Sequence, residues 1–193
     1  MFVSEVKQEN KIVSGLMLLM LLTRFHHFGG INTLPDATLA VLFCAGLYCR
    51  HPWVLPLLLV EAGVIDYVAI HFGGVSDWCV SPAYLFLIPT YAVMWQSGRL
   101  CSRWIDSSKA AVKIVPLAVF TATTVAFLIS NGSFYLFSGR FEDLRLAEYF
   151  LRVFKYYPSY CMTPVVYISV ILAIHALLHY TVERGAPVRG DIK

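Results

Sequence analysis

The stretch Asp77-Trp78-Cys79-Val80-Ser81-Pro82-Ala83-Tyr84 decides how this chain is read, because it is the polar joint between two apolar runs, Pro52 to Phe72 and Pro82 to Trp95. It contains no Lys or Arg. Similar joints recur along the chain, and the windows between them approach the roughly 20 largely apolar residues that a helix needs to cross a hydrocarbon core. A cysteine, an acid and two aromatics at the mouth of two membrane helices make a costly place to keep a thiol unless it is buried, paired or bound to something.

Working outward, 58% of the 193 residues are hydrophobic, and the mean hydropathy is +0.66. Too little polar surface remains to cover such a core in water. The fold expected is therefore an all-α membrane protein, a six-transmembrane-helix bundle forming one domain over residues 1–193. Continuous apolar runs, in place of alternating ones, argue against an outer-membrane barrel. Met1 to Asn10 is polar with mixed charge, and no small-residue cleavage pattern follows the first apolar run, so that run reads as a retained helix.

Six spans follow from the apolar windows and their breakers. The first is expected from Ile12 to about His26, broken by Gly29-Gly30, and the second from Pro35-Asp36, with Asp36 as a cap, to Cys49-Arg50. Small residues on the second (Ala37, Ala40, Cys44 and Ala45) allow a neighbouring helix to approach. The third runs from Pro52 to Ile70 and stops at Gly73-Gly74; the fourth starts with Pro82 in its first turn, carries Pro89 as an irregularity, and ends near Gln96-Ser97-Gly98. The fifth is expected over Ala110–Ile129 with Asn131-Gly132 closing it, and the sixth from Met162 to Tyr180. Between the last two, Phe141 to Phe154 has helical periodicity with mixed charge and reads as a lid across the mouth of the bundle.

An even number of spans puts both termini on one side. That side carries ten of the 15 Lys and Arg, with the strongest cluster at Arg99, Arg103, Lys109 and Lys113. The other five are Arg24, Arg140, Arg145, Arg152 and Lys155. The positive-inside rule then makes both termini cytoplasmic and turns the joints around His27, Cys79 and Arg152 outward.

Within this frame a few residues could carry chemistry. Asp66 lies in the outer half of the third span, where an ionised carboxylate must face a cavity or a partner. It reads equally as an acceptor for a polar solute and as a structural partner of Arg24 or Arg152. Glu61, five residues earlier, points away from that face and reads as protonated packing, with proton coupling as the lesser option. His26 and His27 end the first span and His71 the third, but their spacing with Cys79 is no recognised zinc cluster. Tyr84 fits an interfacial aromatic as well as a pocket wall, in a chain with eleven tyrosines. Arg152 sits among Tyr149, Phe150, Leu151, Val153 and Phe154, apolar company that makes it more informative than Arg140 or Arg145. The five cysteines contain no CxxC pair, so Cys79 is an inert thiol, a disulfide partner of Cys161, or a soft metal ligand. No phosphate loop, nucleophile elbow, HExxH pattern or nucleic-acid motif is present.

Six short, irregular helices with outward loops converging on a pocket resemble the S-components of energy-coupling-factor (ECF) vitamin transporters. The stretch from Ile65-Asp66-Tyr67 through Ser76-Asp77-Trp78-Cys79-Val80-Ser81-Pro82-Ala83-Tyr84 is similar, more closely, to the BtuM family of solitary cobalamin transporters of Gram-negative bacteria. The resemblance extends over nearly the whole chain, and the Cys79 loop is its most specific part. It implies transport of cobalamin (vitamin B12) and related corrinoids across the bacterial inner membrane. It also implies cobalt coordinated by Cys79, with His27, Asp66, Tyr84 and Arg152 lining the pocket. Cobalamin is then the substrate, with no separate cofactor, and the partners are corrinoids and the lipid bilayer, with no nucleic acid. S-components that share an energising module carry alanines four apart on their first helix. Here the run is Ser14-Gly15-Leu16-Met17-Leu18-Leu19-Met20, which fits a solitary transporter better.

Two other classes remain open on the residues alone. One is a structural or assembly membrane protein with an outer Cys79 to Cys161 disulfide; the other is a thiol-based membrane oxidoreductase using Cys79. Decyanation of cyanocobalamin would add a reaction to what is primarily a transporter.

Overall fold

The chain is described from a computed structural model that covers residues 2–25, 34–105, 108–142 and 145–185. Among the described residues six α-helices follow one another: α1 (Phe2–Arg24), α2 (Thr38–Tyr48), α3 (Val54–Phe72), α4 (Leu87–Cys101), α5 (Ser108–Phe137) and α6 (Leu146–Gly185). A 3-10 helix, Pro82–Phe86, leads into α4. No strand occurs among the described residues. Among the described residues three helices are long and apolar enough to cross a membrane: α3, the Lys113–Phe137 part of α5 and the Leu146–Leu177 part of α6.

Outward-facing apolar side chains support that reading. Val60, Val64, Leu117, Phe120, Leu128, Val166, Val170 and Ile174 are all exposed. Only a third of the spanning window is buried in α3 and in α5, and 17% in α6. In water this would be a large uncovered apolar surface, whereas a hydrocarbon surrounding removes the penalty.

Several boundaries fall where local chemistry puts them. α3 ends at Gly73, and Gly74 takes φ +67°, a conformation that only glycine adopts freely. The Asp36 carboxylate accepts from the Thr38 amide and hydroxyl at the start of α2, so it fills the capping role expected of it. Pro82 opens the 3-10 helix. Pro89 falls in the first turn of α4, where a missing amide hydrogen breaks no helical bond, so the irregularity is taken up by the 3-10 segment before it.

Other boundaries differ from the sequence expectation. α1 starts ten residues before Ile12. α5 does not close at Asn131-Gly132 but continues to Phe137, and the chain turns at Gly139 with φ +69°. A glycine inside a helix costs about 1 kcal/mol against alanine. Here the Tyr149 hydroxyl of α6 lies 3.5 Å from where a Gly132 side chain would begin, so the smooth helix face is a packing surface. The separate lid helix and sixth span are one element: α6 is 40 residues long and passes through Pro158 and Pro164. Prolines are tolerated in membrane helices where other groups satisfy the freed carbonyls. At 1.5 Å per residue α6 is about 60 Å long, twice a hydrocarbon core.

The core is centred on α2, which is buried along almost its whole length, and its tightest neighbour is α4. A side chain on Gly46 would begin 1.9 Å from the Trp95 carbonyl oxygen, and one on Gly98 would begin 2.0 Å from that of Phe43. The main chains of α2 and α4 therefore touch. Ala37, Ala40, Cys44 and Ala45 are buried as expected, but the closest approach belongs to two glycines. α1 packs on α2 and α3, and α5 lies between α4 and α6.

Candidate functional site

The ends of α1 and α3, the starts of α2 and α6 and the loop before the 3-10 helix gather at one end of the bundle. At its centre is Arg24, 3% exposed, at the last turn of α1. Its Nε and Nη2 donate to the two oxygens of Asp66 at 2.8 and 2.7 Å, the planar fork-to-carboxylate arrangement that arginine favours. Its Nη1 donates to Asp36 Oδ2 at 3.2 Å, Thr38 Oγ1 at 3.0 Å and the Tyr91 hydroxyl at 2.9 Å. The Tyr84 hydroxyl donates to Asp66 Oδ2 from the other side. One guanidinium thus joins α1, α2, α3 and α4, and two carboxylates surround it.

Of the two readings of Asp66, the structural partnership with Arg24 is the one the side chains form. Asp66 and Tyr84, both candidate site residues, are brought into direct contact. Cys79 lies on the loop between α3 and the 3-10 helix, held by a turn in which the Val80 amide donates to the Asp77 carbonyl at 2.8 Å. Its thiol is half-buried, and burial raises its pKa. The negative charge of Asp66 pushes in the same direction, and Arg140 pulls it back down. Arg140 also covers Trp78, with its guanidinium carbon 4.4 Å from the indole centre, and so connects the Cys79 loop to the turn after α5.

Arg152 is in a different setting from Asp66. Its guanidinium faces the rings of Phe134, Phe141 and Tyr156 at 5.7, 4.7 and 5.3 Å, and its buried Nε has no hydrogen-bond partner among the described residues. His26 and His27 lie outside the described residues. His71 stacks on Tyr67 and hydrogen-bonds its own helix, and all five cysteines, Cys79 and Cys161 included, are free thiols. Among the described residues no group of three or more His, Cys, Asp and Glu could hold a metal ion by itself.

Tyr91 and Thr38 did not stand out in the sequence, and Asp36 showed only as a helix cap. An arginine before a glycine-rich break and an acid before the next helix were visible signals, but nothing in the spacing brought them together. Arg140 is exposed, and its contact with Trp78 had no sequence signature. No protein-family model matches the chain, and no curated protein matches it.

Proposed function

We propose that the chain is a six-span transporter of cobalamin and related corrinoids in the bacterial inner membrane, with both termini cytoplasmic and the Cys79 end facing the periplasm. The observation that carries this reading is the single half-buried Cys79 thiol on an outer loop, within the electrostatic reach of Asp66. Most metal ions require several protein ligands. Cobalt in a corrin already has four equatorial nitrogens, so one protein ligand on one face completes a site.

A thiolate suits that task because it is soft and strongly donating, and bonding to the metal lowers the thiol's pKa. Coordination would therefore overcome the upward push of burial. Sulfur donation along the axis weakens the bond on the opposite face, so bound cyanocobalamin is expected to lose cyanide. Asp66, Tyr84 and Arg152 would meet the amide and phosphate groups at the corrin edge. For Asp66 this requires sharing or leaving Arg24, so corrinoid entry competes with the ion pair. The first helix lacks the alanine pair of module-dependent S-components, which supports transport without a dedicated energising module.

The decisive measurement is the visible spectrum of cobalamin bound to the purified protein and to Cys79→Ser at equal occupancy. Serine keeps the size but offers a hard, protonated oxygen, so the sulfur-ligated spectrum and cyanide loss are expected to disappear. Identical spectra would refute cobalt ligation by Cys79.

A further inference from the structure

We infer that the opposite end of the bundle holds a binding site for the phosphate headgroup of an anionic glycerophospholipid. A cavity of about 340 Å³ is lined there by Trp95, Gln96, Arg99, Leu100, Ser102 and Arg103, on the last turns of α4 and just beyond it. No acidic residue lines it among the described residues, and two guanidiniums do. Arg99 lies over the Trp95 ring at 4.8 Å, which fixes one of them at the wall. The indole Nε1 of Trp95 is buried with no acceptor among the described residues. An indole nitrogen can only donate, and a buried donor left unmade is costly, so Trp95 beside the cavity carries a donor that a small movement of its ring would offer to a phosphate oxygen. The Ser102 hydroxyl already donates to the Arg99 carbonyl at 2.8 Å, and its oxygen remains free to accept from a headgroup hydroxyl.

Phosphate could also arrive free in solution, but the rim favours a lipid. Leu100 is 51% exposed and Trp104 47% exposed beside the cavity, an apolar chain and an interfacial aromatic where acyl chains and ester groups would lie. The surrounding segment is also the most basic in the chain, which positive-inside topology turns toward the anionic cytoplasmic leaflet. The inference rests on the chain lying in a bilayer and is independent of what the Cys79 end carries.

Native mass spectrometry of the purified full chain, titrated with phosphatidylglycerol and with phosphatidylcholine, tests it. The first phosphatidylglycerol is expected to bind tighter than phosphatidylcholine, and Arg99→Gln with Arg103→Gln to weaken it about thirtyfold. Trp95→Phe keeps the ring under Arg99 and removes only the N–H, so it is expected to weaken binding several-fold, and it decides the matter if the double variant does not fold. Equal binding of the two lipids, or parental affinity in Trp95→Phe, would overturn the site. Displacement of the lipid by inorganic phosphate in large excess would assign the cavity to a soluble anion and overturn the lipid reading.

Discussion

Arg24 and Arg152 stand at the same end of the bundle and are held in opposite ways. Arg24 is enclosed by carboxylates, hydroxyls and a bidentate ion pair, whereas Arg152 is held by three aromatic faces and has a buried nitrogen without an acceptor among the described residues. The first arrangement satisfies the charge within the protein and so joins helices. The second holds a cation in place while leaving hydrogen-bonding capacity unused, which suits a group that waits for a ligand. Position at the mouth of a bundle therefore does not by itself make a charged residue a binding residue.

The strongest way to break the contrast is Arg24→Gln. Removing one partner of a buried pair typically costs about 3 to 5 kcal/mol because the other charge stays buried without compensation. Asp66 and Asp36 would be left facing each other, so a large loss of thermal stability in detergent is expected. A melting temperature equal to the parent's would mean that the pair carries no structural weight. Asp66→Asn is expected to fall between the extremes, since Arg24 retains Asp36 and Tyr91. Any loss of the proposed corrinoid uptake in this variant must therefore be read beside its stability.

Arg152→Ala sharpens the comparison from the other side. Ring contacts of this kind contribute about 0.5 to 1 kcal/mol each, so losing all three should lower the melting temperature less than Arg24→Gln does, while the proposed corrinoid uptake at limiting substrate falls severalfold. Loss of stability with unchanged uptake would make Arg152 a packing residue.

The smallest effect is expected at Arg140, which lowers the Cys79 pKa against burial and Asp66. Arg140→Gln removes the only one of these influences that favours the thiolate, so the midpoint of the pH profile for Cys79 alkylation should move upward, with the other four cysteines replaced. A midpoint that stays or falls would show that Arg140 acts on the loop through Trp78 alone.

The helical class, the Gly73-Gly74 stop and the Pro82 start were legible in the sequence because each depends on local backbone chemistry. Asn131-Gly132 misled for a physical reason. Residues that break helices in water are held in them where surrounding hydrocarbon makes open carbonyls costly and a neighbour such as Tyr149 packs on the bare face. The Arg24 to Asp66 pair was one of two open readings, since 42 residues separate its members and no periodicity links them. Tyr91 and the Gly46 to Gly98 approach required the tertiary arrangement, because nothing in a single helix reveals which face meets which.

That glycine contact also bears on how such a bundle could move. Two helices whose main chains touch cannot roll or slide past each other by even a few tenths of an ångström without collision. α2 and α4 are therefore the pair least able to move against each other. For the transport proposed above, access to either end is then expected to open by displacement of helices around this pair, in place of the pair itself separating.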